Sequence, residues 1–235
     1  MNQILLFPED YISDSRVILR ERRFQHLLSI IKIKTGDRLK AGIINGMRGE
    51  AVVAEKGSDY AILETSLTDP PPASLPLTLV IAMPRPKSLR KAVHYATAMG
   101  VKKIFIIRTW KVEKSYFDSP ALEEGALKME MILALEQARD TILPEIQVKK
   151  LFRPFVEDEL PLISDGTLKL TAHPSAESEC PRYVRSPVTL VLGPEGGLID
   201  YEVELLEEIG FSTVHMGERI LRVENAVPAL IGRLY

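Results

Sequence analysis

Apolar positions along the chain fall into two regimes separated by Asp69-Pro70-Pro71-Pro72, a run that continues neither a helix nor a central strand. Before it, the apolar runs are short and broken by turn residues. Gly36-Asp37 precedes Arg38-Leu39-Lys40-Ala41, Asn45-Gly46 is a hairpin dipeptide, and residues 50–54 are followed by Gly57-Ser58-Asp59 and then by 60–63. Helical spacing occurs only over 22–31, through Phe24, Leu27, Leu28 and Ile31. Residues 1–69 are therefore expected to form a small, mostly β domain, a compact barrel.

After the prolines the pattern alternates. Nearly continuous apolar runs at 77–82, 103–107 and 188–192 read as buried strands, with shorter ones at 146–148, 168–170 and 213–215. Helical periodicity covers 88–99, with Leu89, Ala92, Val93, Ala96 and Met99 on one face and Gly100 as its stop. It recurs over 121–139, where Leu122, Ala126, Met129 and Leu133 form a stripe, and over 201–209 and 226–234. This alternation predicts an α/β domain over 73–235, with a mostly parallel sheet covered on both faces. Ligands of such sheets bind where strand C-terminal ends meet helix N-termini.

Composition narrows the class. The 235 residues are 46% hydrophobic and 26% charged, and no apolar run reaches the roughly 18 residues of a membrane span. The first ten residues carry no basic leader, so a cytoplasmic protein without a membrane partner is expected. Cys180 stands alone and the four histidines are scattered, which leaves no disulfide framework and no metal site by spacing. The formal net charge of −2 hides a segregation. Between residues 70 and 115 stand nine basic residues, among them Arg85, Lys87, Arg90, Lys91 and Lys111, against the single acid Glu113. Such a block is either a phosphate-tracking surface or a solvated helix face.

Three stretches could carry chemistry. In Val188-Thr-Leu-Val-Leu-Gly-Pro-Glu-Gly-Gly-Leu-Ile-Asp200 a buried strand runs into three glycines around Glu195, and Asp200 suits the N-cap of the next helix. The loop is neither a P-loop nor the dinucleotide fingerprint, because its spacing fits neither. It is a site or a tight turn that only packs. In Val214-His-Met-Gly-Glu-Arg-Ile-Leu-Arg-Val-Glu-Asn-Ala226, Arg222 and Glu224 precede the last helix, either as functional groups or as a salt bridge. Asn225 suits that helix's N-cap, and His215, between apolar Val214 and Met216, reads as structural. The third stretch is Leu168-Lys-Leu-Thr-Ala-His-Pro-Ser175, a further strand end.

The pair Leu192-Gly-Pro-Glu-Gly-Gly-Leu198 and Met216-Gly-Glu-Arg-Ile-Leu-Arg-Val-Glu-Asn-Ala226 closely resembles the signature of the SPOUT-class RNA methyltransferases. The subgroup it looks most like methylates N3 of a uridine in small-subunit (16S) ribosomal RNA. The resemblance implies a PUA-like β-barrel RNA-binding domain at 1–69 and an α/β trefoil-knot methyltransferase domain at 73–235. It further implies S-adenosylmethionine as methyl donor, ribosomal RNA or the small ribosomal subunit as partner, and a homodimer. It assigns Thr171, Ala172, Gly193, Gly197, Met216, Gly217, Ile220 and Leu221 to the cofactor pocket. Arg222 falls near the methyl-accepting base, Glu195 matches the family's loop glutamate, and Arg85, Lys87, Arg90, Lys91 and Lys111 fall to the RNA. The chain departs from the family pattern at Val223 and Asn225, where the family usually has threonine, at Met99 after Ala98, and at Asp140. Two other classes fit parts of the pattern: a non-catalytic RNA-binding protein on the same scaffold, and a nucleotide-binding enzyme with a small-molecule substrate.

Overall fold

The computed structural model describes residues 2–235. By its internal contacts the chain divides into two compact units, one comprising residues up to Ala73 with Ile132–Leu143, the other Ser74–Met131 with Pro144–Tyr235.

The first unit holds five strands: β1 (Ile4–Leu6), β2 (Arg16–Leu19), β3 (Arg38–Ile43), β4 (Arg48–Lys56) and β5 (Ala61–Asp69), in the order β1-β3-β4-β5-β2. Only β1 and β3 run parallel. The β3–β4 hairpin turns at Asn45, whose φ of 56° explains the Asn-Gly dipeptide, and Ile43 N–H donates to Met47 O at 2.9 Å. Strands from both ends of the order feed the same core: Ile4 and Leu6 meet Val17 and Leu19 around Phe24 and Leu27. The sheet is thus rolled around that core.

Helical spacing over 22–31 resolves into α1 (Glu21–His26) and a π-helical turn, Leu27–Ile31, which ends at Lys32 with φ 59°. The wider turn shifts the phase of the helix, so Phe24 and Leu27 are buried while Ile31 is exposed. Strand β1 is buried on both faces, which is why it shows no alternation. Its Leu5 packs with Ile132 and Leu135 of the long helix α3 (Glu124–Ala138). The backbone N–H groups of Asn2 and Gln3 both donate to Glu136 O at 3.0 Å, and the Glu136 carboxylate takes both guanidinium arms of Arg22. Asp140 accepts the Thr141 and Ile142 amides, a turn-capping role. The expected α3 stripe is corrected here: Met129 and Leu133 are exposed, while Leu127, Met131, Ile132 and Leu135 are buried. The helix begins in one unit and ends in the other, so it buries two faces in succession instead of one.

The second unit carries six parallel strands, β6 (Leu77–Ala82), β7 (Lys103–Ile107), β8 (Glu145–Lys149), β9 (Leu168–Ala172), β10 (Val188–Leu192) and β11 (Ser212–Val214), in the order β11-β9-β10-β6-β7-β8. Helices α2 (Pro86–Ala98), α4 (Phe152–Pro154), α5 (Leu160–Ile163), α6 (Asp200–Glu208) and α7 (Val223–Leu234) complete it. One sheet face buries Leu79, Ile81, Leu190 and Leu192 against Ala92 and Ala96 of α2 and Val227, Leu230 and Ile231 of α7. Each such side chain adds about 1.5–3 kcal/mol when fully removed from water. On β7, Phe105 instead meets the ring of Phe155 in the π-helical turn between α4 and α5, a helical segment that shows no clear periodicity. The expected parallel, doubly covered α/β sheet is the observed one. Among the described residues no helix is long and apolar enough to cross a membrane, and no group of metal-ligating side chains gathers.

Buried charge holds the first unit in register. Asp10, 6% exposed, accepts the Phe7 N–H at 2.8 Å and both guanidinium arms of Arg23, with Nη2 at 2.6 Å from Oδ1. Replacing Asp10 by alanine leaves the Arg23 guanidinium largely buried without its counter-charge. Chemical denaturation should show a loss of about 3–5 kcal/mol.

Candidate functional site

Strands β11, β9 and β10 are consecutive in the sheet, and Val214, Ala172 and Leu192 share one register row. The chain therefore leaves the sheet three times along a single line, at His173, Gly193 and His215. The three exits bound one open cleft with a cavity volume of about 120 Å³. Its walls are largely apolar: Leu198, Met216, Ile220 and Leu221 from the loops, Val223, Ala226 and Leu230 from α7. Glycine backbone supplies the rest.

The glycine loop has its shape for two separate reasons. Gly197 sits at φ 73°, closing a turn in which its N–H donates to Pro194 O at 2.8 Å. At Gly193 a Cβ would lie 3.1 Å from Leu198 Cγ and 3.2 Å from its backbone nitrogen, so the close return of the chain favours glycine. The loop is then tied to its neighbours. Glu195 Oε1 accepts the Arg85 N–H, at the N-cap of α2, at 3.0 Å, and Lys111 Nζ donates to Gly196 O at 2.8 Å.

Asp200 is not the N-cap of α6 but its first residue, and Ile199 occupies the cap. The capping is done from inside the helix by Glu202, 2% exposed, whose Oε2 accepts the Ile199 N–H at 3.0 Å. Its Oε1 accepts the Trp110 N–H at 2.7 Å, binding the loop after β7 to the same carboxylate. Asn225 is likewise not a cap. Helix α7 starts at Val223, Arg222 is its N-cap, and Asn225 lies in the first turn.

The third exit is organised by His215, whose Nδ1 accepts the Gly217 N–H at 2.9 Å while its backbone pairs with Ser178 and Cys180. His215 itself lines the cleft. The link between β9 and β10 lies across the end of the chain: Val184 N–H donates to Leu234 O at 2.7 Å, and Arg233 reaches Cys180 O and Glu179.

The structure brings together Ala172, Gly193, Gly197, Met216, Gly217, Ile220 and Leu221, together with Glu195, around the cleft. Thr171 is not among them. Strand alternation puts it on the opposite face from Ala172, fully buried, with Oγ1 lacking a hydrogen-bond partner. Arg222 lies one residue outside the lining, with an exposed side chain. Arg85, Lys87, Arg90, Lys91 and Lys111 are all exposed, and Arg85 and Lys111 touch the glycine loop.

Sequence reasoning missed Glu202 as a buried acceptor and left Glu224 open between a functional group and a salt bridge near a helix start. Glu224 is 7% exposed. Burial pushes its carboxyl up, but hydrogen bonds from its own amide and from Ser88, with the charges of Lys91 and Arg222, outweigh that and hold it below the usual carboxylate range. Its Oε2 has no hydrogen-bond partner. The signal available was a glutamate at the start of a helix whose neighbouring positions, Val223 and Val227, are apolar and buried.

Residues 71–235 match the family of RNA methyltransferase domains. The chain is 32% identical to ribosomal RNA small subunit methyltransferase E of Treponema pallidum, over 97% of this chain and 88% of the relative. It is 23% identical to ribosomal RNA small subunit methyltransferase E 1 of Borreliella burgdorferi, over 97% and 95%. Among solved structures, ribosomal RNA small subunit methyltransferase E from Neisseria gonorrhoeae, bound to S-adenosyl methionine, superposes with a TM-score of 0.74 at 20% identity, covering 98% of this chain and 95% of that one. A Legionella pneumophila protein solved with the bound cofactor SAM gives a TM-score of 0.75 at 21% identity, with the same coverage. The fold is shared with both.

Glu202 generates the test of the local architecture. In Glu202→Ala the amides of Ile199 and Trp110 lose a buried, charged acceptor together. Urea denaturation should register a loss of about 3 kcal/mol, twice or more that of an ordinary cap deletion.

Proposed function

This chain belongs to the RNA methyltransferase family typified by ribosomal RNA small subunit methyltransferase E, and we propose that it methylates N3 of a uridine in small-subunit ribosomal RNA with S-adenosylmethionine as donor. The observation that carries the reading is the convergence of three adjacent strand ends on one cleft walled by glycine backbone and apolar side chains. The residues suit the donor. Ile220 and Leu221 are apolar yet exposed at the cleft, as surfaces that a purine ring would cover, and Gly193 and Gly197 leave backbone groups accessible to a polar ligand.

Bound there, the donor supplies an electrophilic methyl carbon on a sulfonium. The chain's own work is to place the acceptor in line and to manage its proton, and positioning supplies most of the rate. Uracil N3 carries a hydrogen, so negative charge grows on the ring as it leaves. Arg222, beside the cleft, stabilises that charge on a uracil oxygen. Glu195 lines the cleft, with Oε1 engaged by the Arg85 amide, whereas Glu224 is almost wholly buried and lies outside the lining. Glu195 is the carboxylate placed to take the N3 proton or to organise the pocket around it. N3 lies on the Watson–Crick edge, so the target uridine is unpaired or turned out of its stack.

The rest of the proposal concerns the scaffold. The rolled sheet of the first unit is read as a PUA-like barrel that, with the basic block from Arg85 to Lys111, holds RNA phosphates. The pinning of residues 178–184 across β11 and α7 supports a trefoil knot. A cytoplasmic homodimer acting on ribosomal RNA or the small subunit completes it.

The decisive experiment incubates the protein with small subunits and labelled S-adenosylmethionine, maps the label by mass spectrometry, and measures donor binding by calorimetry. Label on a uracil N3 is expected. Binding heat without label, or label on another atom, overturns the assignment. Arg222→Ala should keep donor affinity and lower turnover by about 10²–10³-fold. Glu195→Gln should lose about 10²-fold or more in kcat if Glu195 takes the proton.

A further inference from the structure

The most exposed large aromatic beside the cleft does no work in the mechanism above. Trp110 is the only tryptophan in the chain and is 80% exposed. Most surface tryptophans lie at least partly against their own protein, because the indole is the largest apolar side chain. This one is held outward by a rigid mount. Its backbone N–H is fixed to the buried Glu202 carboxylate, Thr109 and Val112 on either side are buried, and Val112 N–H closes a turn onto Thr109 O at 3.2 Å. Lys111, next in sequence, is bonded to Gly196 O of the cleft loop.

Its neighbours along the chain are mostly cationic. Arg108, Lys111 and Lys114 flank it in the chain, and the single acid of that stretch, Glu113, accepts the Tyr116 hydroxyl at 3.2 Å. Arg85 joins them through Glu195 on the same glycine loop. An uncovered indole whose backbone is fixed to Glu202, flanked in sequence by Arg108, Lys111 and Lys114, with Lys111 bonded to the cleft loop, has the composition of a surface that stacks unpaired bases while neighbouring cations follow the phosphates. Trp110 does not line the cleft itself, so the base it receives is not the one that reacts.

We infer that Trp110 is a stacking platform for an unpaired nucleotide flanking the target uridine, which holds the RNA strand against the rim of the cleft. The inference rests on the RNA-methylating reading above, and it adds a positioning residue that acts on substrate binding and leaves the chemical step alone. The stack is sequence-tolerant, because every base offers a π face.

A chain with one tryptophan reports on this directly. In the full-length protein, Trp110 emission should be solvent-like and open to acrylamide before RNA is added. Single-stranded oligouridylate should quench it, and pairing the same strand with oligoadenylate should abolish most of the quenching. Trp110→Ala should raise KM for small subunits about tenfold, with kcat and S-adenosylmethionine affinity unchanged, and Trp110→Phe should recover most of the loss. The inference is overturned if oligouridylate binds without altering the emission, or if Trp110→Ala methylates with wild-type KM. It is equally overturned if the indole is already shielded from acrylamide and Trp110→Ala changes the sedimentation of the protein, since the ring is then covered by a second copy. Quenching by single strands in a protein that transfers no methyl group would remove the methylation reading and leave the stacking platform standing.

Discussion

A parallel sheet sends every strand out along the same edge, and the site here depends on that constraint. Neighbouring strands β11, β9 and β10 end in one register row, so three loops far apart in sequence are neighbours in space. What the loops contribute is then a matter of local chemistry. Glycine at 193 and 197 lets the backbone fold tightly, and apolar residues from the loop after β11 and from α7 line what remains. The alternation of side chains along β9 sets the limit of the arrangement, admitting Ala172 to the cleft and turning Thr171 away from it.

Carboxylates then convert neighbouring loops into one body. Glu195 bridges the glycine loop to the start of α2, and Glu202 joins the start of α6 to the loop after β7. Both act by accepting backbone N–H groups, which is stronger than a neutral hydrogen bond and insensitive to which side chains stand opposite. Glu224 differs. Part of its carboxylate is occupied and part is not, although the residue is almost wholly buried. A buried charged oxygen without a partner is costly, and it stands one residue from the lining of the cleft.

The parts of the fold that were legible in the sequence were those with strong, uninterrupted periodicity. The strands at 77–82, 103–107 and 188–192 fall where their apolar runs fall, because each is buried on both faces and bounded by turn residues. Features that depend on tertiary partners were not legible. Ile4–Leu6 is too short to show a period, the π-helical turn at Leu27–Ile31 breaks the phase of an otherwise helical pattern, and α3 serves two cores in turn. Within the site, glycine spacing marked the loop correctly, but the cap of α6 was read at Asp200 when the bond comes from Glu202. Residue preference identifies good capping side chains, and only geometry says which of two neighbouring acids reaches the amide.

The composition of the first unit bears on how the chain acquires its structure as it is made. Leu5 is covered by Ile132 and Leu135, and the amides of Asn2 and Gln3 are satisfied by the carbonyl of Glu136. A nascent polypeptide therefore exposes an unfinished β-sheet, with apolar surface and unpaired donors at its leading strand, until residues near 143 have left the ribosome. Folding of this sheet is thus timed by the emergence of a helix encoded some sixty residues after its last strand.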